Sequence, residues 1–409
     1  MLRAITAAAL ILIWPGTGQA FVSCTKTQIA GPGARIAEEG ANPVKVGKYV
    51  YAGFAIHNDV GIVTSSDWGE TIGKPVILAD GLGPDNLLRL AAADANVYAL
   101  WQKQQPGQLH AYFAASHDHG FAGTWGSTID FGVKRRGTLL QLSADGANVH
   151  VVYLTNDGNV TIRNSLDGGR TFSSAIRIAP AGAEIVITSL GSNVYVAWGI
   201  NDGKAEVMFA VSHDGGSTFK VRNLTASRPS GANEPIFSLN PKTGRLSLVW
   251  RENSPIQGIY LQSLDGGETW SAPLVLDAPT RQFMVADAGE YIYVSYLKMI
   301  YINGIPDFEV YLTSSHDGGK SFAPGKNLSG VTGISTLDGD DERPMPWTDV
   351  ATGAFRLTGV AADGVHVWNG KKGRVYSPVW LGAGRLASPA SNSLVMQAPD
   401  GNVVYAVCH

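Results

Sequence analysis

One octapeptide pattern, Ser-x-Asp-x-Gly-x-Thr/Ser-aromatic, recurs along this chain and constrains its fold more than any other feature. Its clearest copy is Ser-Leu-Asp-Gly-Gly-Glu-Thr-Trp at residues 263–270, and further copies occupy residues 65–72, 165–172, 212–219 and 315–322. A stretched sixth copy begins at Ser116, and its Thr-Trp pair arrives two residues late. Successive aspartates lie 47 to 52 residues apart, at Asp67, Asp118, Asp167, Asp214, Asp265 and Asp317. A period near 50 that persists through six copies predicts a repeat architecture.

Each copy of the pattern has the chemistry of a tight turn. An aspartate in a glycine-rich bend accepts hydrogen bonds from backbone N–H groups, and glycine adopts φ values that other residues resist. The Ser and Thr hydroxyls can close further local bonds, while the aromatic residue reaches into the layer between sheets. The six aspartates are therefore predicted to be structural.

Between these turns the chain alternates apolar and polar residues with the period of a β-strand. The segment Asn-Val-Tyr-Val-Ala-Trp at 193–198 is one example, and equivalent segments occupy 49–54, 96–101, 148–153, 245–250 and 291–296. Each repeat reads as four strands, of which these segments are the second. Because four-stranded units stacked radially are the blades of a β-propeller, the chain is predicted to be an all-β propeller.

The repeated pattern resembles the Asp box, or bacterial-neuraminidase repeat, of sialidase-like proteins. The resemblance extends over nearly all of residues 21–409 and implies a single sialidase-like β-propeller domain. It identifies the propeller more surely than it identifies an activity.

Two further repeats near the C-terminus lack the aspartate turn. Residues 356–368 read as a first and a second strand with 374–380 as a third, and residues 394–407 read as one last hairpin. We expect residues 21–40 to complete this last blade and close the ring, which gives eight blades, with seven as the alternative.

The two cysteines fall in these terminal segments. Cys24 and Cys408 are then expected to meet in an antiparallel strand pair and to form a disulfide. The alternative is that they are two unrelated free thiols.

The first 20 residues have the features of a cleaved signal peptide. Arg3 supplies the positive charge, residues 4–14 are apolar, and residues 18–20 end in a small-residue cleavage site at Ala20. The apolar run is too short to span a membrane. We therefore expect a secreted or periplasmic protein, the alternative being a lipoprotein acylated on Cys24.

Composition narrows the class of partner. The formal net charge is −3 and no basic run occurs, which argues against a nucleic-acid surface. The spacing of His and Cys matches no metal site, and no phosphate-binding or nucleophile-elbow motif is present, so no cofactor is expected. We expect a monomer.

A propeller binds its ligand at one mouth of the central channel, which is lined by residues that begin each first strand and follow each second strand. Cations outnumber acids at these positions, which favours a carboxylate-bearing ligand, because arginine forks around a carboxylate. The alternative is that the ends of the channel are simply polar. The positions are His57, Asp59, Arg135, Arg136, Glu234, Arg251, Glu252, Arg281 and Lys298.

The resemblance to sialidases implies roles for some of these residues. Asn233-Glu234, the turn at Gly244 and the end of the next strand at Arg251 look like the sialidase segment with a catalytic glutamate and a carboxylate-binding arginine. Asp59 lies where the family has its acid/base aspartate.

Other family positions match less well. Arg35 begins a segment similar to the family's Arg-Ile-Pro, although Ala37 replaces the proline. The family binds the sugar carboxylate with three arginines, and the third is expected before the sixth repeated turn. No arginine lies between positions 282 and 342, so Arg281 or Arg343 would have to supply it. The family's nucleophilic tyrosine begins a first strand near the end of the chain. Phe355 is expected at that position, and phenylalanine has no hydroxyl with which to attack a sugar.

The leading hypothesis is an exported sialidase-like glycoside hydrolase that acts on or recognises an acidic sugar, with a sialic-acid-like glycan as partner. The alternative is a non-catalytic propeller that binds glycan or protein, or that serves as a scaffold. Residues 329–354 form an insertion with an acidic run at 338–342, which reads as a solvated loop or as a Ca²⁺ site.

Overall fold

The structure of the protein is a computed structural model. The described residues are 24–30, 34–36, 44–56, 59–79, 88–105, 108–134, 140–202, 204–228, 231–302, 305–328, 345–349, 354–361, 364–371, 374–375, 379–382, 385–390, 393–397 and 403–408. Within these ranges the regular secondary structure is entirely β, which confirms the predicted fold class.

The strands are numbered in chain order. They are β1 (Cys24–Ala30), β2 (Ala34–Ile36), β3 (Val44–Val46), β4 (Tyr49–Ile56), β5 (Asp59–Ser65), β6 (Val76–Ala79), β7 (Leu88–Ala93), β8 (Asn96–Gln105), β9 (Gln108–Ser116), β10 (Ile129–Lys134), β11 (Gln141–Asp145), β12 (Asn148–Leu154), β13 (Val160–Ser165), β14 (Ile176–Ala179), β15 (Ala183–Leu190), β16 (Asn193–Asp202), β17 (Lys204–Ser212), β18 (Lys220–Asn223), β19 (Ala232–Leu239), β20 (Leu246–Asn253), β21 (Ile256–Ser263), β22 (Leu274–Val275), β23 (Thr280–Ala288), β24 (Tyr291–Ile302), β25 (Ile305–Ser315), β26 (Lys326–Asn327), β27 (Met345–Asp349), β28 (Ala354–Ala361), β29 (Gly364–Lys371), β30 (Arg374–Val375), β31 (Val379–Gly382), β32 (Arg385–Ala390), β33 (Ser393–Gln397) and β34 (Val403–Cys408).

These strands form eight antiparallel sheets among the described residues, six with four strands and two with five. The orders, from the first sheet to the eighth, are β2-β4-β5-β6 with β3 on β4, β7-β8-β9-β10, β11-β12-β13-β14, β15-β16-β17-β18, β19-β20-β21-β22, β23-β24-β25-β26, β27-β28-β29-β30 with β31 on β29, and β32-β33-β34-β1. In the first seven sheets the strand order follows the chain, and in the eighth the last place is taken by β1.

The first strands of successive sheets lie against one another. The contacts run from β3 to β7 and onward through β11, β15, β19, β23 and β27 to β32, and β2 lies against β33 and β34. Small antiparallel sheets placed side by side through their first strands are the arrangement of a β-propeller.

In the second, fourth and fifth sheets a tryptophan of the second strand fills the layer between sheets. Trp101, Trp198 and Trp250 are at most 1% exposed. Trp198 packs against Val152 and Val160 of the preceding sheet, and the other two make equivalent contacts. Because these indoles are buried between sheets, they are not available to stack on a sugar.

The repeated turn is closed by hydrogen bonds to its Ser and Asp side chains. In the fifth sheet the Ser263 hydroxyl donates to Asp265 Oδ1 (2.8 Å) and accepts from the Gly267 N–H (2.8 Å). The Thr269 N–H donates to Asp265 Oδ1 (2.8 Å), and the Thr269 hydroxyl donates to Oδ2 (2.5 Å). These donors, led by the Thr269 hydroxyl, lower the pKa of Asp265 to about 2.

The same bonds hold Asp67, Asp167, Asp214 and Asp317. The stretched copy differs: the Ser116 and Thr124 hydroxyls share a hydrogen bond (2.6 Å), and the Gly120 N–H still donates to Ser116 Oγ (2.9 Å). The late threonine therefore bonds the serine there, where in the other copies it reaches the aspartate.

The seventh and eighth sheets begin one strand earlier than the sequence predicts. β27 lies inside the supposed insertion and is the first strand of the seventh sheet, so residues 356–368 belong to its second and third strands. This strand is short and contains Pro346, which is tolerated because a first strand is a sheet edge and needs no N–H there. Likewise β32 is the first strand of the eighth sheet, which leaves one strand, and not two, for the N-terminal segment.

That N-terminal strand is β1, which pairs antiparallel with β34. The register sets Cys24 directly opposite Cys408. The side chains of both cysteines lie outside the described part of the chain, and the disulfide stays a prediction.

Several predicted features lie outside the described residues. They are the signal peptide at 1–20 and most of the insertion at 329–354, including its acidic run. Where the chain is described, no helix is long and apolar enough to cross a membrane. No group of three or more His, Cys, Asp or Glu is placed there to hold a metal ion.

Candidate functional site

The candidate site lies at the end of the sheets where first strands begin and second strands end. Strand β19 carries a bulge there: Asn233 faces Arg251 and Ile236 faces Val249, so two residues intervene on one strand against a single one on the other. Glu234, within this bulge, has a left-handed backbone with a φ of 56°. A bulge re-aims the side chain it carries.

The bulge brings Glu234 and Arg251 together, the two residues that the sialidase resemblance pairs. Arg251 Nη1 lies 2.9 Å from Glu234 Oε1, and the two side chains are 24% and 19% exposed. The second carboxylate oxygen, Oε2, accepts a hydrogen bond from the Gln282 N–H of the sixth sheet (3.3 Å). Both oxygens of Glu234 are therefore engaged by the protein.

Glu234 also takes part in a repeated hydrogen-bond arrangement that joins neighbouring sheets. Its own N–H donates to Glu184 Oε2 of the fourth sheet (2.6 Å), as the Gln282 N–H donates to Glu234. Glu184 and Gln282 lie in equivalent bulges of β15 and β23, with φ values of 52° and 54°. A side chain from one sheet thus bonds the strained backbone of the next.

Sequence reasoning missed Glu184 and Gln282. Positions 184, 234 and 282 are separated by 50 and 48 residues, which is the spacing of the repeated aspartates. That periodicity was the available signal, but it indicates a bulge only once the strand register is known.

Two polar atoms at this rung lack hydrogen-bond partners within the described residues. They are Arg251 Nε and Asn233 Oδ1, both buried, on residues that face each other across β19 and β20. Most buried polar atoms in folded proteins have a partner, so a ligand or water bound at this rung would satisfy both groups.

Two other predicted cations, Arg281 and Lys298, contact partners of their own. The Arg281 guanidinium lies 3.7 Å from the centre of the Phe308 ring in its own sheet. Lys298 Nζ donates to Asp277 Oδ1 (2.7 Å), and the Tyr296 hydroxyl donates to Asp277 Oδ2 (2.7 Å). Burial alone would raise the pKa of Asp277, but the hydrogen bonds outweigh burial and lower this pKa. Arg281 and Lys298, like Arg251, thus have partners of their own within the described part of the chain.

Glu252 is also taken up by protein contacts. It is 2% exposed, forms an ion pair with Arg228, and accepts a hydrogen bond from Gln257 Nε2 (2.8 Å). This carboxylate is a buried structural anion.

The remaining family positions are dispersed. Asp59 begins β5, and the backbone of Arg35 lies in β2, so both belong to the first sheet, whereas Glu234 belongs to the fifth. Phe355 lies in β28, the second strand of its sheet, so the expectation that it begins a first strand is wrong. The Arg35 and Phe355 side chains, and the residues His57, Arg135, Arg136 and Arg343, lie outside the described part of the chain.

No protein-family model matches the chain, and no curated protein is detectably similar to it in sequence. Solved structures do share its fold. An ulvan lyase of polysaccharide lyase family PL25 gives a TM-score of 0.55 at 12% identity, over 87% of this chain and 98% of the lyase. A prolyl endopeptidase gives 0.53 at 12% identity, over 93% of this chain and 55% of that protein.

A leech intramolecular trans-sialidase gives a TM-score of 0.44 at 10% identity, over 93% of this chain and 89% of the enzyme. At 12% identity, the likeness to the ulvan lyase and the prolyl endopeptidase concerns the fold alone.

Proposed function

We propose that this chain is an exported, carbohydrate-recognising β-propeller that binds an acidic sugar where Glu234 and Arg251 meet. The observation that carries the proposal is the ion pair itself: a partly exposed guanidinium is held in place by a carboxylate that the neighbouring sheet also fixes. A preorganised arginine fork is a suitable receptor for a sugar carboxylate. In this proposal Arg251 contacts the ligand and Glu234 positions Arg251.

Recognition without catalysis is favoured by the state of Glu234. Both of its oxygens already have protein partners, and Glu184 occupies the same structural position in the preceding sheet. A carboxylate whose oxygens both bond the protein has a structural role, which favours binding over catalysis at this position. We further propose that the eight sheets are eight blades of a ring closed by the N- and C-terminal strands.

A sialidase-type hydrolase is the second candidate, because Glu234 and Arg251 are in direct contact, as the family pairing implies. In that case Asp59 would be the acid/base and Glu234 the partner of the nucleophile. Arg35, Arg281 and Arg343 would assist Arg251 in binding the sugar carboxylate. This candidate requires a nucleophile other than Phe355.

The test is a binding titration of purified residues 21–409 against acidic and neutral glycans. The acidic probes are a polymer of GlcA(1-4)Rha3S, the repeat bound in an ulvan lyase structure, and 3′-sialyllactose; a neutral glucan is the control. The variants are Arg251→Lys, which keeps the charge and loses the fork, and Glu234→Gln. The matched control is Arg222→Ala. Arg222 lies on the outer strand β18 and pairs with Glu268.

We expect binding to at least one acidic probe, weakened about tenfold, or ~1.4 kcal/mol, by Arg251→Lys and unchanged by Arg222→Ala. No binding to either probe, or equal binding by Arg251→Lys, would reject the proposal. Turnover of a fluorogenic sialic-acid glycoside that is abolished in Glu234→Gln would establish the hydrolase instead. N-terminal sequencing of the exported protein tests cleavage after Ala20.

A further inference from the structure

A buried histidine lies in the layer between the third and fourth sheets. His150 is 0% exposed and is the third residue of β12, the second strand of its sheet. In the first, second, fourth and sixth sheets the third residue of the second strand is a tyrosine: Tyr51, Tyr98, Tyr195 and Tyr293. The Tyr98 hydroxyl, for example, donates to the Gly146 carbonyl of the next sheet (3.0 Å). His150 replaces this phenol with the side chain that titrates closest to neutral pH.

His150 reaches the fourth sheet through Asn164. His150 Nδ1 lies 2.8 Å from Asn164 Oδ1 on β13, and Asn164 Nδ2 donates to the Gly216 carbonyl in the repeated turn of the fourth sheet (2.7 Å). Because the amide nitrogen faces Gly216, the amide oxygen is the acceptor toward His150, and His150 Nδ1 carries the proton. A Cβ at position 216 would clash with the Asn164 amide, so this contact between the sheets depends on glycine there.

The other ring nitrogen of His150 is buried without a hydrogen bond. Within the described part of the chain, His150 Nε2 has no partner. The same face of β12 carries Val152 and Leu154, which pack against Val196 and Trp198 of the fourth sheet. A neutral imidazole fits this apolar layer, because its Nε2 carries neither a proton nor a charge. A proton added to Nε2 would create a buried cation with no acceptor, which costs free energy.

Among the described residues no carboxylate is placed to compensate a charge on His150. On β11 the residue paired with His150 is Ser143, and Asp145 lies one rung nearer the turn, where its Oδ2 accepts from the Gly191 N–H of the fourth sheet (2.6 Å). Asp214, in the turn of the fourth sheet, is bonded by hydroxyl groups of that turn. The other residues that face this part of the layer are uncharged: Asn164, Ile187, Ser189, Val194, Val196 and Ala210.

These surroundings give the layer a dependence on pH. Burial lowers the pKa of His150 in the folded protein, against a smaller opposite effect of the Asn164 hydrogen bond. When the layer opens and water reaches the ring, the imidazole recovers its ordinary pKa of about 6.5. The opened state therefore binds the proton more readily, so the stability of the layer is fully present above about pH 6.5 and declines as pH falls below that value.

We propose that His150 is a pH sensor that loosens the contact between the third and fourth sheets in mildly acidic surroundings. Acid adds one proton to Nε2, the imidazolium turns toward water, and the hydrogen-bonded chain from His150 through Asn164 to Gly216 is broken. The carboxylates of the repeated turns stay ionised at this pH, so the response comes from the histidine. The sensor acts without a ligand at Arg251, so this proposal and the binding proposal can fail separately.

The test is hydrogen–deuterium exchange of the purified protein at pH 7.5 and 5.5, with each rate divided by the intrinsic rate at that pH. The variants are His150→Asn, which keeps a donor near Asn164 and cannot titrate, and His150→Tyr, which introduces the residue of four other repeats. The matched control is His213→Asn. His213 is an exposed histidine, bonded to Asn193 (2.7 Å) and facing Glu268 of the fifth sheet, outside this layer.

We expect exchange in residues 148–165 and 212–219 to accelerate about tenfold between pH 7.5 and 5.5 in the parent and in His213→Asn, because one proton is taken up with a pKa of about 6.5 on opening. Both His150 variants should protect these segments equally at the two pH values. Acid-accelerated exchange that persists in both variants, or that is equal in every sheet of the parent, would overturn the proposal.

A second measurement needs no substitution in the layer. Nuclear magnetic resonance of the parent with isotope-labelled histidine reports the protonation of each imidazole. The His150 ring should keep its proton on Nδ1 alone down to pH 5.5 in the folded protein, because the layer excludes the charged form. A His150 ring that titrates at about pH 6.5 while the protein stays folded would overturn the proposal, since the layer would then tolerate the charge.

Discussion

A buried ion pair between the fifth and sixth sheets offers a sharp test of what holds adjacent sheets together. Arg245 Nε and Nη2 donate to Asp287 Oδ2 (2.7 Å) and Oδ1 (2.8 Å). Asp287 Oδ1 also accepts from Asn240 Nδ2 (2.7 Å) and the Gly289 N–H (2.8 Å). The side chains of Arg245 and Asp287 are 8% and 0% exposed. Four donors thus converge on one carboxylate that water does not reach.

The perturbation is Asp287→Asn, which preserves size and removes the charge. One terminal atom becomes a donor that faces other donors, and the guanidinium is left buried without its counter-ion. Removing one partner of a buried ion pair destabilises a protein by about 3–5 kcal/mol. With an unfolding entropy of about 2.1 cal/mol/K per residue over about 390 residues, the melting temperature should fall by ~4–6 °C if the domain unfolds as one unit.

The assay is urea and thermal unfolding of the parent, Asp287→Asn, Arg245→Met and the double variant. Removing Arg245 as well takes away the uncompensated charge, so the double variant should be more stable than the sum of the single losses implies. Glu268→Gln is the control, because Glu268 forms ion pairs with Lys220 (2.7 Å) and Arg222 (2.5 Å) on the surface, where they contribute little. A loss under about 1 kcal/mol in Asp287→Asn, or strict additivity in the double variant, would refute the reasoning.

Three further predictions concern the turns and the layers between sheets. Ser263→Ala removes a donor to Asp265 and the acceptor of the Gly267 N–H, and should lower the free energy of unfolding by about 1–3 kcal/mol in urea titrations. Gly258→Ala should destabilise by about 1–3 kcal/mol by the same measure, because the new methyl would clash with the Phe283 ring; no change would contradict the tight contact between the sheets. The folded-state pKa of Asp265 is depressed, so its stabilisation is present above the unfolded pKa near 4 and disappears as pH falls toward about 2. Melting temperatures between pH 5 and pH 2 should therefore decline, and less steeply in Asp265→Asn.

The repeating features of the fold were predictable because local chemistry determines them. A motif like that at Asp265 closes its own turn with groups four residues away or fewer, so the sequence alone reveals it. Trp198 and Trp250 lie in strands of clear alternation, and their burial between sheets follows from that pattern. The first strand of the seventh sheet was missed, because β27 is five residues long and contains a proline.

The site was less predictable, because it depends on register between sheets. Glu234 and Arg251 were chosen by resemblance, and their contact requires the bulge in β19. The Glu184 carboxylate bonds Glu234 in the next sheet, and the Gln282 N–H bonds Glu234 in the preceding sheet. The residues that flank Glu184 and Gln282 in the sequence do not indicate these partners. Lys298 was assigned to ligand binding, but it pairs with Asp277, which lies far from it in sequence and on the preceding connection.

The pairing of β1 with β34 has a consequence for how the chain is made. Strand β1 has no partner in its sheet until β34, at residues 403–408, has been synthesised. At ribosomal rates of 5–20 residues per second, that wait is roughly 20–80 s. Throughout this time β1 is an open strand edge, a template on which another chain can pair. The eighth sheet can form only after β34 has emerged, so the protein must stay soluble while that sheet is incomplete, and deletion of β34 would leave the edge of β1 open permanently.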